Sequence, residues 1–431
     1  MVRAAFVTLA VAAAAVAVPA AALAGPAGPA GTHPVIGGSD APEGMWPAVA
    51  GIVYNGNSDV VNDTLCTGVL VAPTIVLTAG HCVPGVLAAA GGENIGDLTG
   101  IVIGTATLGS AAQGELIDGS DGDIQQYPDS QTTIDIGIIT LEQPAHETPS
   151  AIATGWARLD IQNGAKVELV GFGSIDANGA DYVPNLQEAQ TTITDYDCAT
   201  SAGCNAGAKP DGELGAGGSG VDTCPGDSGG PMYLLTSYGT FVAGITSRGY
   251  STDTTACGMG GIYSRPDKIV PYIEQTTGVK LTHGPEPTAD ALDVTAGSAA
   301  ETVIAANDPK SEDHDYTIAV QPLHGSAAVE SSGRVRVCAN DGASGSDAVT
   351  VEVADANDAA RAVQLTIPIA IAAAASAPAT PCDANAFSTG APDTGGGCCD
   401  AGGGNPLGAG VLAIVVGAVV RSRRGRNVAD L

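Results

Sequence analysis

The sequence predicts an all-β protein built from two folded units, and three observations carry that expectation. The chain has 431 residues, more than one ordinary domain holds. Short Val/Ile-rich runs, such as Gly68-Val69-Leu70-Val71 and Ile136-Gly137-Ile138-Ile139, recur between Gly, Asp and Pro turns, as short antiparallel strands of a barrel or sandwich do. Finally, 60 glycines with only 14% charged residues argue against helical bundles.

Taken in order, residues 1–24 read as a secretory signal peptide. Arg3 supplies the basic start, residues 4–18 are apolar, Pro19 breaks the run, and Ala22-Leu23-Ala24 offers a small-residue cleavage pattern. The apolar run is short for a membrane span. Export places the 10 Cys in an oxidising compartment, where they read as disulfide candidates rather than metal ligands. Residues 25–34, rich in Gly, Pro and Ala, read as a pro-peptide, and residues 35–282 hold the first strand-rich unit. Within that unit residues 266–277 are the best helix candidate, opening with Pro266 and closing at Gly278.

Gly284-Pro285-Glu286-Pro287 reads as a linker into a second β-unit, residues 283–371. There Arg334-Val335-Arg336-Val337, residues 348–353 and residues 363–367 alternate as half-buried strands do. Asp355-Ala356-Asn357-Asp358 suits a hairpin turn better than a Ca²⁺ site, and the acidic residues 118–123 lack the spacing of a Ca²⁺ loop. Residues 372–397 have the Ala/Pro/Gly/Ser composition of a stalk. The tail, residues 398–431, joins Cys398-Cys399 to a Gly-rich spacer, a short apolar run and Arg421, Arg423, Arg424 and Arg426. The apolar run falls short of the roughly 20 residues that cross a bilayer comfortably, and the basic end would stay in the cytoplasm.

Charge excludes one class of partner. With 16 basic and 46 acidic side chains the formal charge is -30, which repels a phosphate backbone and so excludes nucleic acid. Basic polypeptides would be attracted.

Three local contexts carry chemistry. Hydrolysis of a peptide by serine needs a base, an acid that holds it, and donors for the oxyanion. Thr78-Ala79-Gly80-His81-Cys82 follows an apolar run, and Thr133-Ile134-Asp135-Ile136-Gly137-Ile138 places an acid inside another. Cys224-Pro225-Gly226-Asp227-Ser228-Gly229-Gly230-Pro231 is the third. Alone, each has a plain structural reading: a packed histidine, a capping aspartate, a serine in a glycine loop. Their joint occurrence in the order His, Asp, Ser is what points to nucleophilic catalysis.

On these segments residues 35–277 resemble the chymotrypsin/trypsin family. The resemblance implies a double six-stranded antiparallel β-barrel followed by the smaller β-sandwich. It implies that His81 is the general base, Asp135 its orienting acid and Ser228 the nucleophile, with the backbone N–H groups of Gly226 and Ser228 as oxyanion hole. Asp222, six residues before the nucleophile, would form the floor of the primary pocket between Gly249 and Gly261, selecting Lys or Arg. Disulfides Cys66–Cys82, Cys198–Cys204 and Cys224–Cys257 are implied too, while Cys338 and Cys382 stay unassigned.

Val35-Ile36-Gly37-Gly38 resembles the family's mature amino terminus, whose freed amine would pair with Asp227, so a zymogen is implied. Two positions depart from the pattern. Pro34 precedes Val35 where a basic residue is usual, so another type of protease would remove residues 25–34. Arg248 stands where an aromatic residue usually lines the cleft and would repel basic residues beside the cleaved one, narrowing specificity.

The second unit resembles bacterial immunoglobulin-like or cadherin-like modules, implying a spacer or adhesion role. The tail resembles the MYXO-CTERM sorting signal, implying processing near Cys398-Cys399 and attachment at the cell surface, with a vicinal disulfide or a retained anchor as alternatives. The expected protein is an exported or surface-attached monomer acting on polypeptides with Lys or Arg at the cleaved position. It would need no metal and no organic cofactor, and meet a membrane only through its tail. The rival class is a catalytically silent surface-binding protein on a protease scaffold. A third reading keeps the hydrolase with another preference, should Arg248 or the insertion at residues 250–256 block the pocket.

Overall fold

The computed structural model describes residues 35–54, 64–83, 99–109, 114–375 and 381–388. The expected signal peptide, pro-peptide and sorting tail, and much of the stalk, lie outside the described residues.

A closed six-stranded barrel forms first, from β2 (Val49–Tyr54), β3 (Thr64–Ala72), β4 (Ile75–Thr78), β5 (Thr99–Ile103), β6 (Glu115–Gln126) and β7 (Gly137–Leu141), in the order β2-β3-β4-β7-β6-β5. Every residue of β4 is buried, because one face fills the barrel and the other is covered by neighbouring elements. The acidic side chains of residues 118–123 lie outside the described residues, although their backbone runs in β6.

The second sheet has seven strands: β1 (Ser39–Asp40), β8 (Lys166–Gly171), β9 (Gln187–Asp195), β10 (Glu213–Ala216), β11 (Pro231–Thr236), β12 (Gly239–Gly249) and β13 (Gly261–Ser264). Their order is β1-β9-β10-β13-β12-β11-β8, and a β8–β9 pairing closes six of them into a ring with β1 appended. The double barrel expected from the sequence is therefore present.

Between the two lies one helical turn, α1 (Gly155–Arg158), and after them α2 (Val270–Thr277). The helix expected over residues 266–277 is broken: a 3₁₀ turn, Pro266–Lys268, precedes α2, and Ile269 between them has φ -121°. Pro271 explains the restart, since proline suits a first turn and cannot continue an existing ladder. Gly278 ends α2 at φ 71°, the left-handed conformation that glycine adopts freely. Val270 and Ile273 of α2 join the apolar core of the first barrel.

The remaining strands are β14 (Leu292–Thr295), β15 (Ala299–Val303), β16 (His314–Val320), β17 (Gly325–Val329), β18 (Arg334–Ala339), β19 (Gly345–Asp355) and β20 (Asp358–Ala372). They form a four-stranded sheet, β14-β20-β19-β16, and a three-stranded sheet, β15-β18-β17. Alternate valines 349, 351 and 353 face Val335 and Val337 in the core between them. Asp355 opposes Asp358 across a two-residue turn, with Asp355 Oδ1 accepting the Asn357 N–H at 2.8 Å.

Gly284-Pro285-Glu286-Pro287 is not a free linker. Gly284 N donates to Ile152 O and Trp156 N to Pro285 O, each at 2.8 Å. Trp156 is fully buried and belongs to the core of the β-sandwich rather than to its own barrel. Its indole Nε1 donates to Ala306 O at 2.7 Å. Asp160, just past α1, pairs with Lys310 at 2.7 Å and Arg361 at 2.8 Å. Cys338 bonds to Cys382, which ties residues of the expected stalk onto β18. Among the described residues no helix is long and apolar enough to cross a membrane.

Candidate active site

The cleft is assembled from loops at strand ends. His81 follows β4, and the Cys66–Cys82 bond holds its loop against β3. Asp135 immediately precedes β7, which pairs with β4, so the ladder itself sets the two side chains side by side. Asp135 Oδ2 lies 2.7 Å from His81 Nδ1, and Oδ1 accepts the backbone N–H of His81 at 2.8 Å. Ser247 Oγ also donates to Oδ2, at 2.7 Å. Both oxygens of the buried Asp135 are thereby occupied and the imidazole is fixed in orientation. Burial opposes ionisation of Asp135, yet the hydrogen bonds and charge of His81, with the Ser247 hydroxyl, hold its carboxyl below the usual carboxylate range.

Gly80 permits this approach. A Cβ there would lie 2.7 Å from Ser130 Cβ and 2.9 Å from Asp135 Oδ1.

Ser228 reaches the same cleft from the second barrel, in the loop before β11. Its carbonyl accepts Thr67 N of β3 at 2.9 Å and lies 3.8 Å from Cys82 Sγ. Gly229 (φ 85°) packs so closely that a Cβ would stand 2.3 Å from Thr67 O and 2.6 Å from Ala79 N. Among the described residues, no hydrogen bond joins the Ser228 hydroxyl to His81, and the N–H groups of Gly226 and Ser228 have no acceptor. Backbone donors left without an acceptor in the loop that carries Ser228 are what an oxyanion would need. Gly226 adopts φ 96°, in the left-handed region that favours glycine.

Asp227 is wholly buried. Its Oδ1 accepts Gly173 N and its Oδ2 accepts Cys224 N, each at 2.8 Å. Burial pushes its carboxyl up to about 7 against those two donors. Among the described residues no cation pairs with it. Val35 is buried in the core of the second barrel, and the adjoining Ile36 carbonyl accepts Asp222 N at 3.1 Å.

Asp222, also buried, accepts N–H groups from Thr223 (2.8 Å), Gly258 (2.9 Å) and Gly260 (3.0 Å). Burial nevertheless pushes it up to about 6, with a smaller contribution from Asp253. Gly249 and Gly261 are register partners in the β12–β13 ladder, and Asp222 Oδ1 lies 3.3 Å from where a Gly261 Cβ would be. The Cys224–Cys257 bond ties the loop of Ser228 to the segment that carries Gly258 and Gly260, and Cys198–Cys204 closes a small loop.

Four residues that reading the sequence missed complete the arrangement. Ser247 is the second side chain to donate to Asp135. Glu213, almost fully buried, pairs with Arg248 at 2.8 Å and accepts Asn205 N at 2.7 Å. Asn205 lines, with His81, Gln131, Ser247 and Arg248, a cavity of about 330 Å³ beside the imidazole. The order of residues offered one usable signal, Ser247 directly before Arg248; Asn205 and Gln131 come from unmarked loops, and Glu213 opens the short strand β10. Glu213 also lies near Cys198 and Cys204, but the two sulfurs are bonded to each other and the carboxylate is taken, so this is no metal site.

Comparison with known proteins agrees with this geometry. A family model described as Trypsin matches residues 35–273, more than half of the chain, and one described as Bacterial Ig domain matches residues 284–368. The chain is 27% identical over 256 residues to Glucanase inhibitor protein 3 of Phytophthora infestans, covering 56% of this chain and 88% of that protein. It is 27% identical over 237 residues to Trypsin of Saccharopolyspora erythraea, covering 54% and 92%. Brachyurin of Leptuca pugilator is 26% identical over 252 residues, covering 57% and 99%. With its double barrel and a match spanning more than half its length, the chain belongs to the trypsin family of serine proteases.

Proposed function

We propose that the chain is an exported serine endopeptidase that cleaves after Arg or Lys. The observation that carries the reading is the 2.7 Å contact between His81 Nδ1 and a buried Asp135 whose other oxygen is engaged by backbone. An imidazole so held keeps its proton on Nδ1 and turns Nε2 toward the cleft as a base. Ser228 Oγ attacks the scissile carbonyl carbon while Nε2 takes its proton; the N–H groups of Gly226 and Ser228 stabilise the oxyanion. The imidazolium then protonates the leaving amine, and water, deprotonated by His81, releases the acyl group from Ser228. Asp222 selects the cationic side chain before the cleaved bond, since an apolar one would leave a buried carboxylate unpaired.

Removal of residues 1–34 frees the Val35 amine, which supplies the cation that Asp227 lacks and orders the oxyanion loop. The β-sandwich acts as a docked spacer, and residues 398–431 attach the product to the cell surface.

The test compares chain beginning at Val35 with its Ser228→Ala variant on reporter peptides ending in Arg, Lys, Phe or Ala. Ser228-dependent turnover confined to Arg and Lys supports the reading; folded, processed protein without turnover on any peptide rejects it. A second reading, binding without cleavage, is favoured by the relative named as a glucanase inhibitor. Under it Ser228→Ala leaves function intact.

A further inference from the structure

We propose that Asp253 is a second carboxylate of the primary pocket and makes it select a guanidinium over an ammonium. The inference rests on the reading of Asp222 as the pocket floor and concerns a residue from the insertion at positions 250–256.

That insertion leaves β12 at Gly249 and turns back with Asp253 N donating to Tyr250 O at 3.1 Å. The turn folds the Asp253 side chain over the strand it came from, so that Oδ2 stands 2.6 Å from where a Gly249 Cβ would be. Gly249 faces Gly261 directly across the β12–β13 ladder, and directly opposed residues present their side-chain positions on one face of a sheet. Asp222 Oδ1 occupies that face over Gly261, at 3.3 Å from its Cβ position. One ribbon face therefore carries two carboxylates, one over each glycine.

Their hydrogen bonding differs. Asp222 is served by three backbone N–H groups. Both oxygens of Asp253 are sealed from solvent and accept no hydrogen bond from any described residue. A carboxylate shielded from water without donors is costly, and a ligand bringing several N–H groups relieves that cost. An ammonium is a compact charge with three donors, which one carboxylate and its neighbours satisfy. A guanidinium spreads five N–H donors over a rigid plane and can engage two carboxylates at once.

The test uses chain processed to begin at Val35 and carrying Ser228→Ala, so that binding is read without turnover. Phenylguanidine and benzylamine, which share a phenyl ring and differ in their cationic head, are titrated by calorimetry. Asp253→Asn, nearly isosteric, is expected to weaken phenylguanidine roughly tenfold or more and benzylamine less than about threefold. Should Asp253→Asn fail to fold, Asp253→Ser is read in its place. Equal weakening of both ligands, or no change in either, overturns the role of Asp253. If in that case Asp222→Asn still abolishes binding of both, the pocket floor stands and only this inference falls. Absence of binding by the parent overturns both.

Discussion

Arg248 and Asp135 share one hydroxyl: Arg248 Nη1 donates to Ser247 Oγ at 2.8 Å, and Ser247 Oγ donates to Asp135 Oδ2 at 2.7 Å. The Arg248 guanidinium is thus built into the support of the carboxylate that holds His81. Its Nη2 is anchored by Glu213 and by Gly203 O at 2.9 Å, which fixes it in the lining of the cavity beside His81.

The first prediction concerns that pair. Glu213 has 1% of its side chain exposed against 31% for Arg248, so removing the arginine strands a buried charge. Arg248→Met should cost about 3 kcal/mol in urea unfolding, and adding Glu213→Gln should return much of it, because the amide oxygen still accepts Asn205 N. The positive edge of the cavity disappears in the same variant. At about 1 kcal/mol per exposed charge contact, the kcat/KM preference for an acidic over a basic residue beside the cleaved one should fall roughly fivefold. An unchanged preference would remove Arg248 from the substrate cleft.

A second prediction follows from Asp227. Burial lifts its folded value to about 7 from an ordinary 3.8. Below pH 4 both folded and unfolded chains hold the proton and nothing is lost. As pH rises through 4 to 7 the unfolded chain releases its proton first, so the unprocessed protein loses stability across that window. At about 1.4 kcal/mol per unit the loss is on the order of 4 kcal/mol. Asp222, lifted to about 6, acts in the same direction. Melting of full-length parent and Asp227→Asn from pH 4.5 to 7.5 should show the parent declining more steeply. Processing to Val35 should cancel the difference by supplying a cation. Parallel curves for the unprocessed pair would rule this out.

The docked β-sandwich carries a third. Trp156 belongs to one unit in sequence and to the other in packing. Trp156→Ala should cost about 3–5 kcal/mol and expose residues 284–287 to limited proteolysis, with the barrels left intact. Trp156→Phe keeps most of the packing and strands only the Ala306 carbonyl, at about 1 kcal/mol. Equal protease resistance in all three proteins would mean that the module is held elsewhere.

The double barrel and the His81, Asp135 and Ser228 contexts were legible because each is written in contiguous residues: an apolar run with one polar side chain at its end, or glycines that let backbones touch. Ser247, Glu213 and Asp253 were not, since each matters only through a partner from a distant segment. Glu213 sits in a short run that nothing marks until β10 brings it beneath Arg248. The Cys338–Cys382 bond was undecidable because spacing does not determine connectivity. Stalk-like composition around Cys382 pointed to flexible chain, whereas the disulfide and the Arg336 Nε–Asp383 O hydrogen bond at 3.0 Å secure that segment to β18. Trp156 lies in a four-residue helix too short to show an amphipathic period.

The last prediction isolates what Asp135 does beyond holding the fold. Its Oδ1 accepts the His81 backbone N–H while Oδ2 faces His81 Nδ1 and the Ser247 hydroxyl. In Asp135→Asn the amide oxygen must keep the backbone bond, which turns the NH₂ toward Nδ1. That nitrogen then accepts rather than donates, the imidazole proton moves to Nε2, and His81 can no longer take a proton from Ser228. The Ser247 hydroxyl can rotate to accept from the amide, so the geometry survives. Turnover should fall about 10⁴-fold near neutral pH, the cost of holding the base in the wrong tautomer, with a melting temperature close to that of the parent. A loss of only a few-fold, in protein of unchanged stability, would show that His81 is not the base and would return the site to a binding role.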